Sequence, residues 1–144
     1  MTIESQQTIN TLSRLSGMQD LTEDFLRQKQ GFQNRLSQLL GDYGYQMLET
    51  PVLEPTELFM RKSGGALASQ LYSFIDAGSN AVSLRPEFTS PIMRHYLENE
   101  TNIRLPARWQ YSGPVFRFDS SPPDSSGQFP QVGVEIIGSS DIEA

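Results

Sequence analysis

Apolar residues recur along 21–43 at Phe25, Leu26, Phe32, Leu36, Leu39 and Leu40. Steps of about three, four and seven place them on one stripe of a 3.6-residue turn. The spacing predicts an amphipathic helix from Leu21 to about Tyr43 that packs on a core and ends at Gly41 and Gly44. Asp20, with Glu23 three residues on, fits a capping pair at its start. Upstream, Gly17-Met18-Gln19-Asp20 reads as a turn. Residues 1–16 carry Ile3, Ile9, Leu12 and Leu15 with only loose periodicity, which predicts a polar tail.

Beyond the helix the period changes. Tyr45 to Leu48 predicts a short strand, and Pro51 holds Thr50 extended before Val52-Leu53-Glu54. Thr56 to Arg61 predicts one or two helical turns, and Ser63-Gly64-Gly65 a break. Tyr72–Ile75 and Ala81–Leu84 flank Asp76-Ala77-Gly78-Ser79-Asn80, a hairpin signal. Pro91 sits early in the next helix, where its missing N–H costs least. That helix is expected to turn Ile92, Met93, Tyr96 and Leu97 to the core and to end before Leu105-Pro106. Last, Val115–Phe118 and Val132–Ile137 bracket a stretch rich in Ser, Pro, Asp and Gly. They predict two antiparallel strands joined by a long loop.

A chain of 144 residues suits one compact domain, and nine Pro with eleven Gly favour a loop-rich α+β or α/β protein over a bundle. The net charge of −6 argues against a general nucleic-acid binder, which needs excess Lys and Arg. No apolar run approaches the roughly 20 residues of a membrane span, and the N-terminus lacks a signal-peptide pattern. The absence of cysteine fits a reducing cytoplasm and removes thiolate metal sites, and a lone His95 removes a His-rich one. No metal is expected.

Three clusters could carry chemistry. Arg85-Pro86-Glu87-Phe88-Thr89 leaves a strand at a fixed turn, so Glu87 and Thr89 could receive an ammonium group there. Alternatively they only cap the following helix while Arg85 pairs with a surface acid. Arg117, among apolar strand residues, needs a paired or solvated charge, and its planar fork suits a carboxylate or phosphate. An internal pair with Asp119 or Glu135 would equally satisfy it. Gln131 and Glu135, four residues apart on a strand, share one face. His95 reads as a surface or core-edge residue.

At these residues the chain resembles the core of class II aminoacyl-tRNA synthetases. The likeness is to the histidyl branch, which includes the inactive paralogue that regulates ATP phosphoribosyltransferase. Gly44-Tyr45 through Pro51-Val52-Leu53-Glu54 is similar to motif 1, with Pro51 at a dimer interface. Leu84-Arg85-Pro86-Glu87-Phe88-Thr89 is similar to the L-R-P-E-x-T histidine-binding turn. Gly113-Pro114-Val115-Phe116-Arg117 and Gln131-Val132-Gly133-Val134-Glu135 are similar to the two ends of motif 2.

The resemblance implies an α+β fold, an antiparallel sheet flanked by helices, with 1–16 as a tail and 17–144 as a core lacking motif 3. It also implies a histidine site of Glu87, Thr89, Arg117, Gln131 and Glu135, in which Arg117 would grip the amino-acid carboxylate or an ATP phosphate. In synthetases the motif 2 loop continues with a Glu and a G-R-Y-R-like segment that contacts ATP and tRNA. Here it reads Asp119-Ser120-Ser121-Pro122-Pro123-Asp124-Ser125-Ser126-Gly127, without Lys or Arg. A loop that meets polyanions should be basic. The expectation is therefore a cytoplasmic, non-aminoacylating homodimer that senses histidine for an ATP phosphoribosyltransferase catalytic subunit. It would have no catalytic residues, no cofactor and no tRNA partner. ATP and Mg belong only to the alternative, a synthetase fragment.

Overall fold

The computed structural model describes residues 12–60, 67–118 and 127–140. Residues 1–11, the Ser63-Gly64-Gly65 break, Arg61, the acidic loop at 119–126 and residues 141–144 lie outside them.

Helix α1 spans Glu23–Asp42, and a turn at Gly44, with φ +84°, leads into β1, Gln46–Met47. Gly41 lies inside the helix, so only Gly44 acts as the stop. The proposed cap at Asp20 is not formed: Thr22 is the N-cap residue, with no side-chain bond, and Asp20 lies 3.5 Å from Arg14. Strand β2 is Leu53–Pro55, α2 is Thr56–Met60, β3 is Ser73–Ile75 and β4 is Ala81–Leu84. Helix α3, Thr89–Asn99, carries Pro91 in its first turn, and long strands β5, Ala107–Phe116, and β6, Gln128–Ile137, follow.

Among the described residues the strands form two three-stranded sheets, β1-β5-β6 and β2-β4-β3. Strands β5 and β6 pair antiparallel along their whole length, from Ala107 opposite Ile137 to Phe116 opposite Gln128. Two-residue β1 joins the other edge of β5 in parallel, which makes the first sheet mixed. The β3–β4 hairpin turns where expected. Asp76 Oδ1 accepts the Gly78 and Asn80 amides at 2.8 Å each, and the Asn80 bonds hold its carboxyl below the usual range.

The core lies between α3 and one face of the β5–β6 pair. Phe88, Ile92, Ala107, Trp109, Tyr111 and Val115 form it, with Leu48, Tyr96, Ile103, Phe129 and Ile137 at its margin. Alternation along β5 sends its odd-numbered residues to this face. Burying Ile92 completely contributes roughly 1.5–3 kcal/mol. Leu97, expected inside, is 63% exposed because it falls on the outer side of α3.

Helix α1 departs most from expectation. Its apolar stripe is real, yet Phe25, Phe32 and Leu39 remain 55%, 60% and 52% exposed. Polar contacts dock the helix instead. Gln33 donates to Ser112 Oγ at 2.8 Å, and buried Gln110 donates to the carbonyls of Ser37 and Tyr45 at 3.1 and 3.0 Å. Of the stripe, only Leu36 and Leu40 are partly buried among the described residues. Among the described residues, no helix is long and apolar enough to cross a membrane.

Candidate amino-acid site

The site is built where the 85–89 turn meets the middle of the β5–β6 pair. Arg85 holds the turn in place. It is 2% exposed, and its guanidinium donates to the carbonyls of Thr50 at 2.6 Å, Pro51 at 3.4 Å and Pro114 at 3.0 Å. It also lies 4.0 Å from the Phe88 ring centroid, a cation–π contact. Burial lowers its pKa, opposed by Glu49 and Glu54. Arg85 thus pairs with backbone carbonyls, not with a surface acid. Gly113 opposite must lack a side chain, since a Cβ there would come within 2.6 Å of Arg85 Nη2.

Main-chain bonds extend the same stitching. The Arg85 amide donates to Val52 O at 2.8 Å, and Phe116 N donates to Arg85 O at 3.0 Å. Arg117 Nε donates to Pro86 O at 2.9 Å. Arg117 lies just beyond β5 rather than within it, with its guanidinium 5.3 Å from the Phe129 ring. Among the described residues it meets no carboxylate, so the pair with Glu135 is not formed; Asp119 lies outside them.

The three sequence clusters converge here. Thr89 donates to Glu135 Oε1 at 2.6 Å, joining the start of α3 to β6. Glu87 does act as a helix-start acceptor, taking the Ser90 amide at 3.0 and 3.2 Å. Thr89 does not cap. Gln131 and Glu135 share the core-side face of β6, opposite Gly113 and Trp109. Among the described residues, buried Gln131 Oε1 has no hydrogen-bond partner, an arrangement that costs free energy unless something fills it. His95 sits at the core edge, its ring 5.5 Å from Trp109 and apart from this group.

Sequence reasoning missed Tyr111. Its ring stacks on Phe88 at 4.4 Å, and its phenol pKa is raised by burial, then by Glu135 and Glu87. Both carboxylates therefore lie close enough to act on it. Spacing carried no signal for it, because its pairing with Gly133 follows only from the strand register.

Two carboxylates, a hydroxyl, an orphan amide oxygen and a guanidinium that meets no carboxylate among the described residues suit a small zwitterion around one strand pair. The carboxylates can take an ammonium group and the guanidinium a carboxylate. The Histidyl-tRNA synthetase family profile matches residues 17–144. The chain belongs to that family. It is 37% identical over 133 residues to the histidine–tRNA ligase of Rickettsia prowazekii, covering 90% of this chain and 32% of the relative. The Pseudothermotoga lettingae ligase is 42% identical over 106 residues, covering 71% of this chain and 24% of the relative.

Among solved structures, the Bacillus halodurans "ATP phosphoribosyltransferase regulatory subunit/histidyl-tRNA synthetase" aligns with TM-score 0.79 and 30% identity, over 89% of this chain and 33% of that one. Apo histidyl-tRNA synthetase from S. aureus aligns with TM-score 0.76 and 32% identity, over 91% and 30%. The fold is the α+β class II core of this family. The chain spans about a third of the length of its Rickettsia prowazekii relative.

Proposed function

We propose that this chain carries the amino-acid-binding part of a histidine site, used to sense histidine rather than to charge tRNA. The observation that carries the reading is the buried, unpartnered Gln131 Oε1 on the same face of β6 as Glu135, which holds Thr89. Glu87, Thr89, Gln131 and Glu135 would hold the ammonium group and neighbouring polar atoms, and Arg117 the carboxylate. The regulatory role rests on the motif 2 loop. From Asp119 to Gly127 it has two acids and no Lys or Arg, a poor surface for ATP or tRNA phosphates. On this reading the protein is a homodimer through the Pro51 region and modulates an ATP phosphoribosyltransferase catalytic subunit.

Arg117 supports a second reading, a histidine–tRNA ligase, because a guanidinium that meets no carboxylate among the described residues also suits an ATP phosphate. Calorimetric titration separates the two. The regulatory reading expects heat with L-histidine and none with ATP; tight ATP binding without histidine heat would sink it. Replacing Glu135 with Gln should abolish most of the thermal shift that excess histidine gives the wild type.

A further inference from the structure

A cavity of about 510 Å³ opens between the end of α3, the 102–106 connection and the start of β1. The strand register makes room for it. Strand β1 begins opposite Trp109, so among the described residues β5 has no strand beside Ala107 and Arg108 on that side. None of the five residues of the amino-acid site lines this cavity. Its charge sets it apart from the rest of the chain. The sequence carries 17 Asp and Glu against 11 Lys and Arg, yet the lining includes Arg104, Arg108 and His95 and no acid. Among the described residues, neither guanidinium makes a hydrogen bond or an ion pair. Asn99 Nδ2 stands 3.5 Å from His95 Nδ1, and the other ring nitrogen has no partner among the described residues.

We propose that this cavity binds a phosphate group, as the free ion or as the monoester of a small metabolite. A cleft lined by one sign of charge focuses its field and draws in ions of the opposite sign. Guanidinium forks match phosphate oxygens bidentately, and Gln46 and Asn102 add amide donors to the lining. Two guanidiniums balance one dianion. A triphosphate would bring more charge than they can pair, so the site differs in preference from one for ATP. The volume falls within the roughly 300–1,000 Å³ of small-molecule pockets, which leaves room for an organic group on the phosphate. The net charge of −6 disfavours a polynucleotide as its source.

The chain's single tryptophan, Trp109, lines the cavity and supplies the readout. Inorganic phosphate and glucose 6-phosphate, titrated at constant ionic strength, should each change its fluorescence saturably, while glucose and sodium chloride leave it unchanged. Arg104→Gln and Arg108→Gln should each weaken phosphate about tenfold, one charge-assisted contact apiece, which localises the response to this cavity. Circular dichroism verifies folding. Arg104 is exposed, so its variant decides the matter even where Arg108→Gln unfolds. Tighter binding of glucose 6-phosphate than of inorganic phosphate identifies a phosphorylated metabolite as the occupant; otherwise the occupant is the free ion. A wild type without a saturable response to either would overturn the proposal, as would variants that bind phosphate as well as the wild type.

Discussion

At the scale of single residues, the site owes its shape to two glycines as much as to its polar groups. Gly113 leaves room for the Arg85 fork and Gly133 for the Tyr111 phenol, and a Cβ at either position would collide with them. Neither role could be read from spacing, because each depends on which residue stands opposite across the strand pair. The polar positions were more legible. Gln131 and Glu135 fall on one face because a strand has a period of two. The Thr89–Glu135 bond was not foreseeable, since 46 residues separate its partners. Tyr111 also has a measurable pH signature. Its folded-state pKa is raised above the ordinary value of 10.0, so the folded chain holds this proton more tightly than the unfolded chain. Stability from this group is fully present below about pH 10 and is lost as the pH rises through the folded value. Urea midpoints measured from pH 8 to 11 should fall more steeply for the wild type than for Tyr111→Phe, and parallel curves would contradict the assignment.

At the scale of elements, sequence pattern located helices and strands well and said little about what they bury. The β3–β4 hairpin and α3 lie where periodicity and turn residues put them, whereas β5 begins at Ala107 rather than Val115 and ends at Phe116, and β6 begins at Gln128 rather than Val132. Helix α1 also exists as predicted, but an apolar stripe shows only that a face can be buried, not that this chain buries it. What ties the elements together is Arg85, a buried cation solvated by carbonyls from the 50–51 segment and from β5. Lysine would keep the charge but not the planar fork that reaches both segments at once. Arg85→Lys is therefore expected to lower unfolding free energy by about 2 kcal/mol, in line with lost hydrogen bonds to a charged group. Chemical denaturation gives the value directly, and a loss below about 0.5 kcal/mol, the size of an ordinary surface substitution, would show that the clamp is dispensable.

At the scale of the whole molecule, several large apolar side chains outside the polar site are exposed. Phe25, Phe32 and Leu39 on α1, Met47 on β1, and Phe74 and Ile75 on β3 are all about half exposed or more. A chain with net charge −6 gains solubility from its charge, and exposed large side chains on several elements are candidates for burial by association. The motif 1 segment links this surface to the site, because the carbonyls of Thr50 and Pro51 that hold Arg85 directly precede exposed Val52 and Leu53. This continuity supports the proposed homodimer and gives it a specific test. Met47 is 56% exposed, so Met47→Glu should leave the folded protomer intact while placing a charge that an apolar interface cannot accommodate. In analytical ultracentrifugation the wild type should sediment as a dimer, and Met47→Glu as a monomer with nearly unchanged circular dichroism. Because the surface is apolar rather than ionic, added salt should not dissociate the wild type. A wild type that stayed monomeric at high protein concentration would reject self-association through this surface.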